Sequence, residues 1–336
     1  FSKKRENFDW MKEKNVSLND FRLPNQFLNY SFLLNLPKVD KMIGEADVFF
    51  SPHFLSVGLS KKCPRVVTFH DLSFIWHPEF FSFRKKYWHY LLGIGKQARK
   101  AEKIIAISNS TKKDLIDFYG VKEEKIKVIY SGIGGGFGQI DTEDGRLQSV
   151  KERYGLPNDF ILYLGTVEPR KNIDGIIEAF ELIKKNNWAP HRDLKLVIAG
   201  SLGWLYGDIL RRAKKSSHPK DILFIGPVLS ADRASIYNLA RLFVFPSFFE
   251  GFGLPPLEAM ACGVPVITSN CSSLPEVAGE AALMVDPHRP EEVAIAAREI
   301  FSDDKLKNLL IQKGFDQAKK FSWEKCAKET LEFIKS

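Results

Sequence analysis

Residues 242–263 read LFVFPSFFEGFGLPPLEAMACG, and this stretch decides the class of fold. LFVF at 242–245 is an apolar run of the length of a buried strand, and a turn with two glycines follows within a few residues. Pro255 and Pro256 suit the first turn of a helix, since their missing N–H groups would have no intrahelical partner there. The stretch therefore predicts a strand, a tight turn and a helix, which is the repeating unit of a parallel α/β sheet.

The alternation of apolar runs and helical patterns continues on both sides of this stretch. Buried parallel strands are predicted at residues 47–50, 65–69, 103–107 and 127–130, and again at 160–164, 194–199, 222–225, 242–245 and 264–268. A helix is predicted at about 173–184, and Thr111 with Asp114 is typical of a capping box that opens another helix. Because this alternation requires helices on both faces of a sheet, we predict an α/β fold with two Rossmann-like, doubly wound domains.

Domain boundaries follow from the glycine-rich and polar segments. At 336 residues the chain exceeds what one hydrophobic core usually organises. Glycines crowd between residues 132 and 138 and a polar run follows, so we predict a linker at 141–157. The expected domains are then 1–140 and 158–318. The last segment, 319–336, contains an amphipathic helix that we expect to pack back toward the first domain.

Composition excludes several classes of protein. With 44% hydrophobic and 27% charged residues the chain is an ordinary folded protein, and it has no uninterrupted apolar run of about 18 residues. Its net charge of +8 favours anionic partners, but zinc-finger spacing, the RNP pattern and a basic zipper are absent. The four cysteines show neither CxxC pairs nor the spacing of a disulfide framework. We therefore expect a cytoplasmic protein without a nucleic-acid partner.

Residues 165–172, GTVEPRKN, lie between a predicted strand and the helix that follows it. Ligands of open α/β sheets bind beyond the carboxyl ends of the strands, where this segment lies. Arg170 and Lys171 would stand near a helix N-terminus, whose dipole already favours an anion. The segment indicates a phosphate site, although an isolated Arg–Lys pair fits a solvated loop better.

The turn from Glu250 to Glu258 is the second candidate site. Gly251 and Gly253 allow a ligand to approach the backbone closely and point N–H groups at it. A carboxylate accepts hydrogen bonds from paired sugar hydroxyls, so the two glutamates would hold two different sugars of one ligand. Either glutamate alone fits a helix cap or a buried structural residue, but the whole segment does not.

His70 is the third candidate, because it falls where the strand at 65–69 ends. From there its side chain would reach a cleft between the two domains. A lone histidine is as often a structural residue as a catalyst, and the sequence leaves both interpretations open.

Together, segments 165–172 and 250–258 resemble those of retaining glycosyltransferases of family 4, which have the GT-B fold. In that family two glutamates flank a seven-residue interval, as Glu250 and Glu258 do here. The resemblance extends from about Asp47 to the end of the chain. Further matches are HD at 70–71, IAIS at 105–108, KVIY at 127–130 and SSLPE at 272–276. The resemblance implies two Rossmann-like domains that face a cleft, with the donor bound to the second.

The resemblance also implies a role for each site residue. Glu250 would contact the hydroxyls of the transferred sugar, and Glu258 would contact the nucleotide ribose. Arg170 and Lys171 would neutralise the departing diphosphate, and His70 would lie beside the reacting carbon. The rest of the nucleotide-sugar site would come from Gly251, Phe252, Gly253, Leu254 and Thr166. Protein cations would replace a divalent metal, so neither a metal nor a cofactor is expected beyond the nucleotide-sugar co-substrate.

The chain departs from the family in three places. Thr166 stands where many relatives have a basic residue, so Arg170 would take over its part. Gly134 stands where relatives often have Asp. The polar start at Ser2–Glu6 follows no initiator Met, and no strand with a glycine-rich turn precedes Asp47. We therefore expect a first domain that is truncated at its start and incomplete.

Residues 84–100, RKKYWHYLLGIGKQARK, combine six Lys or Arg with aromatic side chains. Such a helix would rest on an anionic membrane surface and would suit a lipid-linked acceptor. The alternative is a core-facing helix with a solvated basic edge, which we favour.

We expect a sugar transferase that acts on a glycan or polyprenyl-linked glycan acceptor, peripherally at the inner face of the cell membrane. HDLSF at 70–74 with EPRKN at 168–172 looks most like mannosyltransferases that use GDP-mannose, while UDP-sugars stay open. The alternatives are a nucleotide-sugar-binding protein without transferase activity and a GT-B-fold sugar-nucleotide epimerase.

Overall fold

The chain forms two parallel-sheet α/β domains. A computed structural model describes residues 9–17, 19, 35–54, 57–189 and 193–336. The predictions for residues 2–6 and for most of the chain before Asp47 fall outside these ranges. For the described residues, the predicted α/β class with two Rossmann-like domains is confirmed.

Within the described residues, the first domain contains a parallel sheet of four strands in the order β1-β2-β3-β4. Its strands are β1 (Phe49–Ser51), β2 (Arg65–Phe69), β3 (Lys103–Ala106) and β4 (Ile126–Val128). Its helices are α1 (Val39–Met42), α2 (Ser73–Trp76), α3 (Phe83–Leu91), α4 (Ile94–Lys100) and α5 (Asn109–Tyr119). Apolar side chains such as Phe69, Ile104 and Leu115 are fully buried between the sheet and these helices.

The second domain contains a six-stranded parallel sheet in the order β10-β9-β8-β5-β6-β7. Its strands are β5 (Phe160–Leu164), β6 (Lys195–Ala199), β7 (Ile222–Gly226), β8 (Leu242–Phe245), β9 (Val266–Ser269) and β10 (Leu283–Val285). Relative to its first strand, this is the 3-2-1-4-5-6 order of a doubly wound fold. The order reverses between β5 and β8, so a crevice for a ligand is expected at the carboxyl ends of these two strands.

Helices cover both faces of the second sheet. They are α6 (Gly145–Tyr154), α7 (Ile173–Lys185), α8 (Tyr206–Lys214), α9 (Arg233–Leu239), α10 (Leu254–Ala261), α11 (Leu274–Ala278), α12 (Pro290–Ser302) and α13 (Asp304–Ala318). In α7 the buried positions 173, 176, 177, 180 and 183 recur at helical spacing and are all Ile or Phe. This apolar stripe explains why the segment folds as a helix and why it packs on the sheet.

The predicted linker at 141–157 contains helix α6 instead. Asp144 caps the helix by accepting a hydrogen bond from the backbone N–H of Arg146, and Gly155 ends it in the left-handed conformation. Leu147 and Val150, three residues apart, are buried on the side facing the protein. The polar residues that suggested a linker form the exposed side of this helix, so the prediction is corrected.

Two further local predictions need correction. The N-cap of helix α5 is Ser108, three residues before the predicted cap Thr111, because the Oγ of Ser108 accepts the N–H of Thr111. Residues 84–100 form two helices, since Gly93 takes the left-handed conformation between them. Among the described residues, no helix has the length and apolar character needed to cross a membrane.

In the part of the chain that the structure describes, the backbone passes between the domains at Gly132–Ile133 and again at Phe321–Ser322. The two crossings touch, because the N–H of Ile133 donates to the carbonyl of Phe321 at 3.2 Å. After the second crossing, α14 (Trp323–Lys335) packs its Phe333 and Ile334 against the first sheet. The Nζ of Lys103 also donates to the carbonyl of Phe333 at 2.9 Å. The last helix therefore belongs structurally to the first domain.

Aromatic contacts form a further junction between the domains. The ring of Phe80 stacks on Phe248 with 5.5 Å between centroids, and Phe81 stacks on Trp204 at 5.7 Å. The indole N–H of Trp204 donates to the carbonyl of Phe80. The segment after α2 is thereby packed against loops that follow β6 and β8.

Candidate functional site

The two predicted second-domain segments meet at the carboxyl ends of neighbouring strands. Strand β5 pairs with β8, so segment 165–172, which follows β5, lies beside the turn that follows β8. The N–H of Phe248 donates to the carbonyl of Arg170 at 3.0 Å and joins the two segments directly. This is the point at which the strand order reverses, and ligands of open α/β sheets bind at such points.

Four charged side chains are packed together in this crevice. The Nζ of Lys171 lies 2.5 Å from Oε1 of Glu250, and Nη1 of Arg170 lies 3.1 Å from its Oε2. Nε and Nη2 of Arg170 both donate to Oε1 of Glu168, at 3.1 and 2.9 Å. Two cations and two carboxylates thus form one network, which we call the charged quartet: Glu168, Arg170, Lys171 and Glu250.

Burial and mutual attraction oppose each other in the charged quartet. Burial would raise the pKa of Glu250, but the charges of Arg170 and Lys171 outweigh it and lower that pKa to about 2. Burial lowers the pKa of Lys171, an effect that the charge of Glu250 only partly offsets. Burial raises the pKa of Glu168 above its ordinary value, despite its contact with Arg170. Glu250 is therefore the firmly ionised carboxylate of the quartet.

The turn after Glu250 contains two glycines, and its residues 251–253 are buried beside the charged quartet. Gly253 has φ of +122°, which side-chain-bearing residues rarely adopt, and it precedes α10 directly. Pro255 and Pro256 in the first turn of α10 have no N–H, so the donors of this helix end come from residues 251–254. The Oγ of Ser273 donates to the carbonyls of Glu250 and Phe252 at 2.9 and 2.6 Å and fixes the turn.

Glu258 lies one turn along α10 in a separate buried contact. Its Oε2 accepts hydrogen bonds from the hydroxyl of Tyr237 at 2.9 Å and from the guanidinium of Arg233. Burial raises the pKa of Glu258, and these two donors only partly offset the rise. Glu258 is only 5% exposed, so its carboxylate is held in a fixed position.

His70 lies on the opposite side of the cleft, against the turn of the second domain. A Cβ added to Gly251 would lie 1.9 Å from the carbonyl oxygen of His70, so only glycine allows this approach. The Nε2 of His70 donates to the carbonyl of Pro52 at 2.8 Å, since a carbonyl oxygen can only accept. Burial would lower the pKa of the Arg170 guanidinium, but the charges of Glu250, of Glu168 and then of Asp71, which follows His70, raise it.

The remaining predicted residues take different positions. Thr166 is exposed at the end of β5, and its carbonyl accepts the hydroxyl of Tyr163 at 2.9 Å. The ring of Phe252 is buried against Tyr130 and Phe321, with centroids 5.9 and 5.6 Å away. Phe252 can therefore offer a ligand only its backbone. Leu254 begins α10 and is half-buried.

Sequence reasoning missed three residues that shape this site: Glu168, Arg233 and Ser273. Glu168 stands two residues before Arg170 in segment 165–172, which was predicted to belong to the site. A carboxylate so near to an arginine in the sequence was the signal that Glu168 would pair with the guanidinium. Arg233 comes from α9 and meets Glu258 only through the fold, which no local pattern indicates. Ser273 lies in the SSLPE stretch, but its contact with the turn after β8 spans more than twenty residues of sequence.

The arrangement can hold an anion beside a hydrogen-bond acceptor. Two buried cations and the N–H groups of the turn can face a diphosphate, and a carboxylate next to them can accept sugar hydroxyls. Within the described part of the chain, no group of His, Cys, Asp or Glu side chains is arranged to hold a metal ion.

Two domains around a cleft, with a charged site at the switch point of the second sheet, define the class of GT-B glycosyltransferases. The family profile Glycosyl transferases group 1 matches residues 148–317, and the profile Glycosyltransferase Family 4 matches residues 5–134. The chain belongs to glycosyltransferase family 4 and is a glycosyltransferase, as the resemblance implied.

Relatives of known name agree with this assignment. The chain is 31% identical to the O-antigen chain mannosyltransferase B of Escherichia coli over 288 residues, covering 85% of this chain and 72% of the relative. It is 36% identical to the serotype-specific mannosyltransferase WbdA of Escherichia coli over 235 residues, 69% of this chain but 28% of that protein.

Solved structures share the fold. The glycosyltransferase WaaG, involved in lipopolysaccharide biosynthesis, superimposes with a TM-score of 0.72 at 17% identity, covering 91% of this chain and 81% of its own. Anabaena HepE in complex with UDP and glucose gives 0.70 at 18% identity, with 89% and 80% covered.

Proposed function

We propose that this chain is a retaining, metal-independent glycosyltransferase that moves mannose from GDP-mannose onto a glycan or a polyprenyl-linked glycan. The observation that carries the proposal is the charged quartet at the switch point of the second sheet. Its two cations follow β5 and lie beside the turn that follows β8, and an ionised Glu250 lies within hydrogen-bond distance of both.

In this proposal, the donor replaces Glu250 as the partner of the two cations in the charged quartet. The diphosphate takes the cations of Arg170 and Lys171, and Glu250 turns its oxygens to the hydroxyls of the sugar. Glu168 stays bonded to Nε and Nη2 of Arg170, and Nη1 stays bonded to the carbonyl of Phe249, so the Nη1 hydrogen that now meets Glu250 can reach the phosphate. The exchange replaces one buried carboxylate by another anion, so no cation is left buried without a partner.

The transfer step breaks the bond between the anomeric carbon and the phosphate oxygen, and the electron pair stays on the diphosphate. The acceptor hydroxyl attacks from the same face, and its proton passes to the departing phosphate oxygen. Arg170, Lys171 and the N–H groups of residues 251–254 stabilise the charge that develops on the leaving group. Because these groups are fixed before the reaction, a divalent metal is not needed. His70 lies against the sugar at the reacting carbon.

The nucleotide would lie along α10, with its ribose at Glu258. The carboxylate is held by Arg233 and Tyr237, so one geometry is available to the ribose hydroxyls. The names of the relatives support mannose as the transferred sugar. HepE was solved with UDP and glucose, and UDP-sugars are therefore the alternative donors.

The acceptor proposal includes an anionic membrane surface. On α3 the side chains of Phe83 and Tyr90 are each 82% exposed and Tyr87 is 56% exposed, with Arg84 and Lys86 exposed beside them. The opposite face of the helix packs Trp88 against the core of the first domain, and the exposed aromatic residues lie along its basic edge. Exposed aromatics among cations are the combination that binds an anionic bilayer interface, where a polyprenyl-linked glycan would be found.

Calorimetric titration with GDP, UDP and ADP, each with EDTA and again with magnesium, tests the donor site. We expect GDP to bind most tightly and magnesium to make no difference. A nucleotide-sugar-binding protein would bind GDP-mannose equally well, but its incubation with the donor would release no GDP. An epimerase would convert the sugar nucleotide without any acceptor. Tighter binding of UDP would overturn the choice of donor base.

A further inference from the structure

A carboxylate of the second domain contacts the first domain at the N-terminus of α5. Glu276 lies on α11, and its Oε2 accepts the backbone N–H and the side-chain Nδ2 of Asn109, each at 2.9 Å. Its Oε1 accepts the N–H of Ser110 at 3.1 Å. The hydroxyl of Tyr130, at the end of the first sheet, donates to Oε2 at 3.1 Å. Four hydrogen bonds from the first domain thus converge on one side chain of the second.

The contact completes the capping of α5. The first N–H groups of a helix have no partner within it, and the partial positive charge there favours a carboxylate. Ser108 of the same domain serves only the N–H of Thr111. The two preceding N–H groups, of Asn109 and Ser110, are served by Glu276. The first domain therefore has its helix fully capped only when the second domain is docked against it.

Tyr130 strengthens the contact because its hydroxyl stays protonated. Burial raises the pKa of Tyr130 to about 12, with a further contribution from the charge of Glu276. Its ring also packs on Phe252 in the turn of the donor site, 5.9 Å between centroids. The contact is thus continuous with the wall of the cleft.

The same helix end holds the loop that contains His70. The Oγ1 of Thr111 donates to the carbonyl of His70 at 3.3 Å. That carbonyl is the atom against which Gly251 is packed, one residue from Glu250. A short path of contacts therefore leads from Glu276 through α5 to the point where the two faces of the cleft meet.

We propose that Glu276 is a positioning residue that holds the two domains in the closed arrangement, by capping α5 from the other domain and so setting His70 over the donor turn. It acts through Asn109, Ser110 and Tyr130 and needs no contact with the substrates. When the domains separate to admit a donor or release a product, these hydrogen bonds break and water replaces them.

Glu276→Ala tests the proposal, with Glu280→Ala as the matched control. Glu280 lies four residues further on, carries the same charge, is exposed, and pairs with Lys313 at 2.8 Å. We expect Glu276→Ala to increase the radius of gyration in small-angle X-ray scattering with GDP bound. We expect it to lower kcat by about 10²-fold while the Kd for GDP changes by less than about threefold, because only the alignment of the two faces is lost. Glu280→Ala should change none of these.

Tyr130→Phe gives an independent readout, since it removes one donor from the first-domain side without exposing a core. It should lower kcat in the same direction, and its effect should be smaller than additive when combined with Glu276→Ala. An unchanged radius of gyration and unchanged kcat in Glu276→Ala would overturn the proposal, as would a loss of GDP affinity as large as the loss of kcat. The kinetic readouts rest on the proposed transfer reaction. The scattering readout does not rest on that reaction. A failure of the proposed function can therefore be distinguished from a failure of the proposed positioning role of Glu276.

Discussion

At the scale of single residues, a substitution of Glu250 distinguishes the binding of the nucleotide from the transfer of the sugar. We predict that Glu250→Gln lowers kcat by about 10²-fold, because the sugar hydroxyls lose a charged acceptor in the transition state. The Kd for GDP should stay the same or fall, because Arg170 and Lys171 no longer have the carboxylate as a competitor for the diphosphate. Steady-state kinetics and calorimetry measure the two effects.

Stability provides the second readout of the same substitution. Removal of one partner from a buried ion-pair network costs about 3–5 kcal/mol, so thermal unfolding must show that Glu250→Gln is folded at the assay temperature. Glu181→Gln is the matched control, since Glu181 pairs with Arg212 at 2.6 Å in the same domain but outside the crevice. Equal losses of kcat in both variants would contradict a role for Glu250 in transfer.

Acid should weaken the folded state through Glu250. Its pKa falls from an ordinary 4.5 to about 2 in the folded chain, so the unfolded chain binds the proton first. The stabilisation is therefore complete above about pH 5 and is lost as the pH falls from 4.5 toward 2. Urea unfolding at a series of pH values should show a shallower loss of stability in Glu250→Gln than in the native chain. Parallel curves would exclude the lowered pKa.

Secondary-structure elements were predictable where the pattern is strong. The strands at 65–69, 160–164 and 242–245 lie where their apolar runs predicted, because buried parallel strands are apolar throughout. Strand β10 was not predicted, since only three residues at the edge of the sheet form it. Helix α6 was not predicted, because its two buried residues, Leu147 and Val150, give too short an apolar pattern in the sequence.

Contacts that depend on how the two domains dock could not be predicted from the sequence. The crevice residues Arg170, Lys171 and Glu250 could be proposed because each follows a strand end, and parallel strands end at one edge of a sheet. Glu276 could not be given a partner, because Asn109 is 167 residues away and belongs to the other domain. Such a contact depends on how the domains dock, which local patterns do not contain.

Helix α3 should bind anionic vesicles. We predict that replacing both Phe83 and Tyr90 by Ser weakens co-sedimentation with phosphatidylglycerol vesicles, since each exposed ring buries apolar area at the interface. Leu309→Ser is the matched control, because Leu309 is an exposed apolar residue, 52% exposed, on α13 of the second domain. Binding that is equal for both variants, or equal on purely zwitterionic vesicles, would rule out this surface as the site of attachment.

At the scale of the whole molecule, the two crossings between the domains form a tight hinge. A Cβ at Gly132 would lie 2.1 Å from the backbone N of Trp323 and 2.3 Å from the C of Ser322. Backbone must therefore move to admit a side chain, and we predict that Gly132→Ala lowers the free energy of unfolding by about 1–3 kcal/mol. Gly135→Ala is the control, since nothing lies within 4 Å of its added Cβ. Chemical denaturation that gave equal stabilities would contradict this close packing.

We propose that this two-domain molecule transfers mannose with retention from a site built of protein cations. The most direct measurement is proton NMR of the reaction of GDP-α-mannose with a mannose-terminated oligosaccharide in the presence of EDTA. We predict release of GDP and formation of an α-mannoside, with both lost in Glu250→Gln. Formation of a β-mannoside, a requirement for added metal, or transfer from a UDP-sugar in place of GDP-mannose would contradict it.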